Sequence, residues 1–304
     1  MTIQQLNYVI KIAEMGSLNK ASEILYVAQP SLTTAVQELE KEFGICLFHR
    51  SGKGVRLTAD GEEFIQYARS IVEQYDGLIE LYVGGSYKKK FGISTQHYSF
   101  AVKSFVEMVK KYDTGEYEFA IRETRTLEVI EDVYTGKSEI GVLYKSDFNR
   151  AAIEKVLKSN HLEFTGLTEC DTFVYLWKGH PLAKKKSIRF PELSEYPCLS
   201  FEQGGSASFY FAEEILSTEK YARTIKANDR ATMLNLMVGL LGYTLCSGII
   251  CEELNGSDYV AVPFVPEHEK QNSKMEIGYI TRKNGRLRNP ATLYIEELKN
   301  YLGV

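Results

Sequence analysis

Long apolar runs are missing from this chain of 304 residues. No segment approaches the roughly eighteen consecutive apolar residues that a membrane-spanning helix needs. The first residues lack the basic and apolar stretches of a signal peptide and pass directly into helical periodicity. Hydrophobic residues make up 44% of the chain and charged residues 25%, as in soluble globular proteins. We therefore expect a cytoplasmic protein of two or three domains with no membrane partner.

Patterns of metal-binding and catalytic residues are also scarce. The cysteines are scattered and never spaced as C-x-x-C, which predicts reduced thiols and no zinc site, with a redox-sensing pair as the alternative. They are Cys46, Cys170, Cys198, Cys246 and Cys251. The chain has no Gly-rich phosphate loop, no G-x-S-x-G and no H-E-x-x-H motif. The sequence thus predicts no enzyme, no metal and no cofactor.

Positive charge is not in excess either, since the formal net charge is -4 at pH 7. A surface that binds nucleic acid therefore has to be local rather than spread over the molecule. Basic and acidic residues are nearly balanced even within residues 1–58. Charge alone does not identify a DNA-binding segment, and motifs have to do so.

The amino-terminal segment contains three short helix patterns. Apolar residues recur at helical spacing between Thr2 and Gly16, which predicts a first helix, and Ser17 caps a second one. Pro30 is favoured in the first turn of a third helix, which ends at Gly44. Two short helices joined by a tight turn, the second with a small polar outer face, predict a helix-turn-helix.

A basic hairpin pattern follows the third helix. Leu47–Arg50 and Val55–Thr58 are typical of two strands joined at a Gly-Lys-Gly turn, which is the pattern of a wing. Hydroxyl and amide side chains on the third helix suit base edges, and basic residues of the hairpin suit flanking phosphates. The predicted DNA-binding residues are Gln29, Pro30, Ser31, Thr33, Thr34, Gln37, Arg50, Lys53 and Arg56. A helical packing domain with ordinary solvated polar residues is the alternative.

These motifs match a signature over many positions at fixed spacing. The matching residues are Gly16–Ser22, Gln29–Thr33, Leu39, Glu40, Gly44, Leu47, Phe48, Arg50, Leu57, Thr58 and Gly61. The pattern resembles the amino-terminal signature of LysR-type transcriptional regulators. The resemblance implies sequence-specific binding to a double-stranded DNA operator. The chain departs from the usual pattern at Val27 and Ala28, where a serine is common, and at His49. These departures bear on which operator is read.

An apolar pattern with spacings of four and three residues continues after Thr58. Its members are Phe64, Ala68, Ile71, Tyr75, Leu78 and Tyr82. The pattern predicts a coiled-coil seam on a linker helix and hinge over residues 59–87, with a core helix inside one globule as the alternative. Because LysR-type regulators pair through this helix, the resemblance implies a homodimer. Side-to-side pairing of sensing domains would give a tetramer, and RNA polymerase is a further candidate partner.

Strand-like and helical runs alternate over residues 88–304, which predicts parallel strands joined by crossover helices. Two such sets predict two lobes, with a helix near Phe209 to Leu216 in the second lobe. We place the first lobe at about 88–165 and 266–304 and the second at about 166–265. The motifs Gly179–Ala183 and Val238–Leu245 resemble the LysR effector domain, so the resemblance covers essentially the whole chain.

The fold class we predict is therefore α/β in three parts. These are an N-terminal winged helix-turn-helix (1–58), a long linker helix (59–87) and a C-terminal two-lobed effector domain like a periplasmic binding protein (88–304). In such a domain the cleft is lined by strand ends and helix starts, where free amides attract anions. The predicted effector-binding residues are Ser94, Thr95, Gln96, His97 and Thr126 in the first lobe and Ser200, Phe201 and Glu202 in the second.

Part of this cleft is similar to that of the cysteine-biosynthesis regulators of the LysR family. The similarity lies in Thr95, Gln96 and Ser200, and it implies a small-molecule effector related to sulfur or amino-acid metabolism. Glu202 departs from that pattern and predicts room for an ammonium group. Arg122 and Arg125 are candidates for pairing with a carboxylate or for ordinary surface ion pairs. A two-lobed solute-binding protein or enzyme without a regulatory role is the alternative function.

Overall fold

The helices and strands follow the sequence patterns closely in the first part of the chain and less closely in the second. A computed structural model describes residues 1–51, 54–82, 89–112, 115–204, 209–267 and 273–304. The chain divides into two units, Met1–Tyr87 and Lys88–Val304. Each unit has its own hydrophobic core.

Capping residues set the ends of the first helices. Helix α1 (Ile3–Met15) begins at Thr2, whose hydroxyl accepts the Gln5 amide N–H while the Gln5 side chain accepts the Thr2 N–H. It ends at Gly16, whose φ of 60° is readily adopted by a residue without a Cβ. Helix α2 (Leu18–Leu25) is capped by Ser17. Helix α3 (Gln29–Phe43) has a proline in its first turn and ends at the left-handed Gly44.

The wing is a two-stranded antiparallel hairpin of β1 (Phe48–Ser51) and β2 (Gly54–Leu57). It packs on the end of α1, where the Val55 N–H donates to the Gly16 carbonyl at 2.9 Å. A Cβ at Gly54 would lie 2.6 Å from that same carbonyl oxygen, and the residue has φ 124°. Both constraints require glycine at the start of the second strand.

A long helix, α4 (Ala59–Tyr82), follows the wing. Its first turns belong to the core of the first unit, since Ile65 and Ala68 are buried among residues of α1 and α3. Farther along, the side chains of Tyr67, Ile71, Tyr75 and Leu78 are exposed. The exposed strip therefore differs from the predicted seam, because Phe64 and Ala68 pack within their own unit instead. The side chain of Tyr82 lies outside the described residues.

The first sheet of the second unit has the strand order β4-β3-β5-β13-β6. Strands β3, β4 and β5 are parallel, and β13 runs antiparallel to β5 and β6. The strands are β3 (Lys89–Thr95), β4 (Tyr117–Glu123), β5 (Ile140–Lys145), β6 (Leu162–Asp171) and β13 (Lys274–Arg282). The helices of this lobe are α5 (Ser99–Lys111), α6 (Thr126–Thr135), α7 (Arg150–Ser159) and α10 (Asn289–Leu302).

The second sheet has the strand order β10-β9-β11-β7-β12-β8. Its strands are β7 (Phe173–Trp177), β8 (Ile188–Arg189), β9 (Cys198–Phe201), β10 (Thr224–Ala227), β11 (Tyr243–Cys246) and β12 (Tyr259–Val265). Helices α8 (Arg230–Leu240) and α9 (Glu252–Asn255) accompany it, with 3-10 helices at Phe190–Leu193 and Phe209–Phe211. The chain passes from the first sheet to the second at Thr172, between β6 and β7, and returns between β12 and β13.

Three features of the second unit differ from the sequence-based prediction. The helix expected near Phe209 to Leu216 is only a 3-10 turn over Phe209–Phe211, and Leu216 has a left-handed φ of 61° that ends regular helix. Strand β6 continues to Asp171, which pairs with Lys274, so the first crossing between sheets lies beyond the boundary we placed at 165. Helix α8 had no predicted counterpart because it is apolar on nearly all sides.

Candidate DNA-binding face and effector cleft

Five of the predicted DNA-contacting residues form an exposed polar face at the start of α3. Gln29, Pro30, Ser31, Thr34 and Gln37 are exposed, while Leu32, Val36 and Leu39 on the opposite side are buried in the core. Thr33 is half-buried beside this face. The first turn of α3 contains no acidic residue. The free end of this helix therefore presents hydroxyl and amide groups without negative charge.

The wing supplies one described basic side chain. Arg56 is exposed on β2 and stands opposite the exposed His49 in the hairpin register. Arg50 belongs to β1, but its side chain lies outside the described residues, as does the whole of Lys53. Of the three predicted basic residues of the wing, Arg56 is the one whose side chain the structure describes.

Three residues of the LysR-like signature, Glu40, Thr58 and Gly61, hold this unit together. The carboxylate of Glu40 accepts the amide N–H groups of Leu47 and Phe48 at 2.7 and 3.4 Å, which fixes the entry to the wing. The hydroxyl of Thr58 accepts the Gly61 N–H at 2.8 Å and so caps α4. A Cβ at Gly61 would overlap the carbonyl oxygen of Leu47. These three residues position the candidate DNA-binding face and are not part of it.

The candidate effector cleft lies where parallel strands of both sheets end. Thr95 ends β3 and Glu123 ends β4 in the first lobe, and Phe201 ends β9 and Ala227 ends β10 in the second. In open α/β sheets this edge is the usual ligand site, because the following loops and helix starts converge there. The predicted residues from both lobes are found at this edge.

Three predicted residues of the first lobe are committed to bonds within that lobe. Ser94, Thr95 and Gln96 are fully buried. The Ser94 hydroxyl donates to Asp132 at 2.6 Å, and that of Thr95 donates to the Gln96 carbonyl at 2.8 Å. The Gln96 amide donates to Thr126, and its oxygen accepts the Tyr98 hydroxyl and the Tyr144 N–H. These groups shape the floor of the cleft.

His97 joins the two lobes. Its Nδ1 lies 2.8 Å from Glu213 Oε2, and its main-chain N–H donates to the same oxygen at 2.9 Å. The imidazole also stacks on Phe201, with ring centroids 3.8 Å apart and planes within 7°. Burial alone lowers the pKa of His97, but the hydrogen bond and charge of Glu213 and the charge of Glu123 raise it overall. The protonated imidazole is therefore favoured in this contact.

A second group of contacts crosses the cleft around α6. The Arg125 Nε donates to the Glu202 carbonyl at 2.9 Å, and the Thr126 N–H donates to Gln203 Oε1 at 3.3 Å. The side chain of Glu202 is exposed. Ser200 is half-buried, and its hydroxyl makes no hydrogen bond to another described residue. Arg122 donates to the Lys137 carbonyl within the first lobe.

Two buried acids of the cleft, Glu213 and Glu214, were missed by sequence reasoning. Both are buried, and Glu214 accepts the Phe201 N–H at 2.7 Å. Burial, together with the neighbouring charge of Glu213, raises the pKa of Glu214 to about 8. Glu214 is therefore mostly protonated at neutral pH. The run from Phe209 to Leu216 is otherwise apolar, so its two adjacent acids were the available signal. In an amphipathic surface helix, such acids would face water.

Arg230 is the third charged residue that sequence reasoning missed. It stands in the first turn of α8, next to the N-cap Asp229. Its guanidinium donates from Nη1 to Asn255 Oδ1 at 3.0 Å and from Nη2 to Glu123 of the first lobe. Its Nε is buried without a hydrogen-bond partner among the described residues. The arginine thus links the lobes while keeping one donor unused.

A cavity of about 70 Å³ adjoins these charged groups. Its walls come from β7, α8, β11 and the segments that follow β3 and β11. Lining side chains are His97, Tyr98, Tyr175, Phe201, Glu213, Glu214, Arg230, Met233, Met237, Thr244, Cys246, Ser247, Ile249 and Ile250. Most of the area of this wall is apolar.

Burial affects the thiols of three cysteines in the second unit. Burial raises the pKa of Cys170, Cys198 and Cys246 to about 12 in each case, so these side chains are thiols at neutral pH. Within the described residues, no three His, Cys, Asp or Glu side chains are grouped so that they could hold a metal ion. No helix among the residues that the structure describes is long and apolar enough to cross a membrane.

Family comparisons cover nearly the whole chain. Residues 3–62 match the family described as "Bacterial regulatory helix-turn-helix protein, lysR family". Residues 100–303 match the family described as "LysR substrate binding domain". The first match contains the candidate DNA-binding face on α3 and the wing. The second contains the cleft residues from Thr126 to Glu214 as well as Arg230.

Individual relatives extend over most of both chains. The HTH-type transcriptional regulator AlsR of Bacillus subtilis is 25% identical over 285 residues, which are 92% of this chain and 85% of the relative. A probable nitrogen assimilation transcriptional activator of Synechocystis is 27% identical and covers 92% and 91%. Among solved structures, a full-length OxyR variant from Pseudomonas aeruginosa matches with a TM-score of 0.59 at 19% identity, covering 100% of this chain and 95% of that one. This last likeness concerns the fold.

Proposed function

The chain belongs to the LysR family of bacterial transcriptional regulators, and from that premise we propose which of its residues read DNA and which bind the effector. It is a DNA-binding transcriptional regulator whose carboxy-terminal domain is a LysR substrate-binding domain. The two relatives named above are a transcriptional regulator and a probable transcriptional activator.

The first turns of α3 enter the major groove of the operator. The observation that carries this proposal is the exposed face of Gln29, Pro30, Ser31, Thr34 and Gln37, which has no acidic residue in the first turn. Amide and hydroxyl groups bond to base edges, as Gln does to adenine. Thr33 lies beside this face and contacts the same groove. Arg56 on the wing, together with Arg50 and Lys53, neutralises flanking phosphates.

Two copies of the chain bind one operator. The exposed strip of Tyr67, Ile71, Tyr75 and Leu78 on α4 is the pairing surface that supports a dimer. Side-to-side pairing of sensing domains would then join two dimers on one bent operator. The regulator acts in the cytoplasm, where its DNA lies, and RNA polymerase is the further partner through which it affects transcription.

The effector binds between the lobes of the second unit. His97, Thr126, Phe201 and Glu213 meet there across the cleft, and each has a partner in the opposite lobe or the facing loop. An effector changes operator binding only as far as it binds one lobe arrangement more tightly than another, typically by about 1–3 kcal/mol. An effector related to sulfur or amino-acid metabolism is the sequence-based prediction, and it depends on the likeness of Thr95, Gln96 and Ser200. Only the predicted room for an ammonium group depends on Glu202, whose side chain is exposed.

A salt-controlled gel shift tests the DNA-binding proposal. The probes are the DNA upstream of the chain's own gene and of the neighbouring divergent gene, with a random duplex of equal length as the reference. Gln37→Ala should weaken specific binding by roughly tenfold or more, which is the worth of a base contact of about 1–3 kcal/mol, and should leave binding to the random duplex unchanged.

Arg56→Gln is the matched control for phosphate contact. It should weaken binding to the specific and the random duplex alike and should reduce the salt dependence by about one released ion per protomer. Equal binding of the specific and random probes by the unaltered protein, at every salt concentration, would contradict the proposed operator. Loss of random-duplex binding in Gln37→Ala would show that Gln37 contacts phosphate and not base.

A further inference from the structure

One contact between the two lobes depends on a group whose charge changes near neutral pH. The imidazole of His97, which follows β3 of the first lobe, lies with its Nδ1 2.8 Å from Glu213 Oε2 of the second lobe. The same ring stacks on Phe201 of the second lobe, with ring centroids 3.8 Å apart. The side chains of His97 and Glu213 are only 5% and 4% exposed. Because histidine is the side chain whose ordinary pKa lies between pH 5 and pH 8, protons control this buried contact.

Glu213 belongs to a segment between β9 and β10 that packs against the first lobe. The Tyr144 hydroxyl of β5 donates to the Ala212 carbonyl at 3.2 Å. Tyr210 stacks on Phe148, with ring centroids 4.7 Å apart. These two contacts carry no charge, whereas the contact of Glu213 with the imidazole does when the imidazole is protonated.

The charges around the imidazole favour its protonated form. Burial lowers the pKa of His97, but the hydrogen bond and charge of Glu213 and the charge of Glu123 raise it overall above the ordinary 6.5. Arg230 acts in the opposite direction. The charged and titratable groups around this contact are Glu213, Glu214, Glu123 at the end of β4, Asp229 and Arg230 at the start of α8, and the hydroxyls of Tyr98 and Tyr144. The acids outnumber the arginine, so a proton on His97 is favoured.

Loss of this proton weakens the contact without removing its atoms. A neutral imidazole can still donate from Nδ1 to Glu213, but a charge-assisted hydrogen bond is roughly twice as strong as a neutral one. The buried carboxylate also loses its cationic partner, which is costly for a charge removed from water. Arg125 and Arg230 join the lobes too, but a guanidinium stays charged throughout the physiological range. The pH therefore acts on the contact between the lobes through His97.

We propose that His97, Glu213 and Phe201 form a clasp that holds the lobes together while His97 is protonated and loosens as the medium becomes alkaline, so that operator binding depends on pH. This inference rests on the proposed function where it concerns the operator. By linkage, closing the lobes takes up a proton at pH values between the ordinary and the raised pKa of His97. An effector that favours the closed lobes consequently binds more tightly at lower pH.

The first test is nuclear magnetic resonance of the full-length protein with isotope-labelled histidine rings. The signal that disappears in His97→Gln belongs to His97, and through-space contacts with the Phe201 ring identify it if that variant does not fold. Its titration midpoint should lie above 6.5 in the unaltered protein. The midpoint should fall in Glu213→Gln, which keeps a hydrogen-bond acceptor but not the charge. A midpoint of 6.5 or below in the unaltered protein would overturn the inference.

Hydrogen exchange of the full-length protein reports whether the lobes separate. The Thr126 N–H donates across the cleft to Gln203, in a bond that does not involve the clasp. Its protection, corrected for the intrinsic exchange rate, should fall between about pH 6 and about pH 8.5 in the unaltered protein. In His97→Gln the protection should be low at every pH. His161→Gln is the matched control, because His161 is exposed in the first lobe, and it should keep the fall. The same pH dependence in His97→Gln as in the unaltered protein would contradict the clasp.

The gel shift with the DNA upstream of the chain's own gene then measures the effect on the operator. The ratio of specific to random-duplex affinity should change by about fivefold or more over this pH range, which is the low end of a typical coupling between sites, and should stay constant in His97→Gln. The random duplex corrects for His49, which is exposed on the wing and can contact phosphate. A constant ratio in the unaltered protein would also overturn the inference. If no specific complex forms at any pH, the DNA-binding proposal is wrong, and the resonance and exchange measurements still decide whether the clasp exists.

Discussion

The buried carboxyl of Glu214 makes the stability of the second lobe depend on pH. Its pKa is about 8 in the folded protein and near the ordinary 4.5 in the unfolded chain. Between these values the folded state binds more protons, so the free energy of unfolding falls as the pH rises, by up to about 1.4 kcal/mol per pH unit. The raised pKa of His97 acts in the same direction above its ordinary 6.5.

Glu214→Gln should remove most of this dependence. Glutamine stays neutral and its oxygen can still accept the Phe201 N–H, so the variant should be more stable than the unaltered protein at about pH 8, by on the order of a few kcal/mol. Urea unfolding at intervals from about pH 5 to pH 8 measures the difference. Glu195→Gln, at an exposed position of the same lobe, should keep the original pH dependence. Identical pH profiles for Glu214→Gln and the unaltered protein would refute the assignment.

At the scale of elements, the docking of α4 onto the wing depends on one glycine. The backbone of Gly61 approaches the Leu47 carbonyl so closely that a Cβ would overlap its oxygen, and the Thr58 hydroxyl holds the Gly61 N–H at 2.8 Å. Gly77 lies on the same helix with nothing within 4 Å of a Cβ built there. Substitution of Gly61 therefore tests the steric need for glycine, and substitution of Gly77 tests the intrinsic cost of glycine in a helix.

Gly61→Ala should lower the free energy of unfolding of the first unit by about 1–3 kcal/mol, because helix and wing must move apart. Gly77→Ala should raise it by up to about 1 kcal/mol, since alanine favours the helix. Urea unfolding followed by circular dichroism compares the two variants. A stabilising effect of Gly61→Ala would mean that the approach to Leu47 is not a constraint in solution.

The elements of the second unit show where a local pattern fails. The run from Phe209 to Leu216 has helical composition but forms a 3-10 turn and an irregular segment, because its acids bond to His97 and Phe201 instead of facing water. Helix α8 shows little segregation of apolar residues, with Met233 and Met237 buried and Val238 and Leu240 exposed. Hydrophobic periodicity therefore predicted neither the irregular segment after Phe209 nor helix α8.

At the scale of the whole molecule, the exposed strip on α4 predicts how copies associate. Leu78 is 56% exposed and Ile71 is 37% exposed, so neither is held by the core of its own chain. Leu78→Lys should convert the dimer to a monomer at micromolar concentration, since it places a charge in an apolar contact. Operator affinity should then fall by at least about tenfold, because the two half-sites are no longer bound jointly.

Asp76→Asn provides the matched control for this prediction. Asp76 is exposed on the same helix, and the change raises the net charge by one as Leu78→Lys does. It should leave both the association state and the gel shift unchanged. Sedimentation equilibrium distinguishes the species. A dimer that persists in Leu78→Lys would show that copies of the chain pair through another surface.

The sequence by itself determined the first unit and the family. Caps such as Thr2, Ser17 and Gly16 act within a few residues of their own position, so their effect can be read locally, and the signature residues Glu40 and Gly61 fix contacts that the fold always needs. The alternation of strands and helices likewise predicted a two-lobed α/β domain, because period and turn residues are local properties.

Only the tertiary structure decided the chemistry of the cleft. Glu213 and Glu214 are adjacent in sequence but far from His97, and Arg230 is far from Glu123, so no local pattern joins them. Ser94 and Glu202 were assigned by their places at strand ends, yet one hydroxyl is bonded inside its lobe and the other side chain is exposed. Burial, charge pairing and unused donors arise from the packing of distant segments, which determines what a cleft can bind.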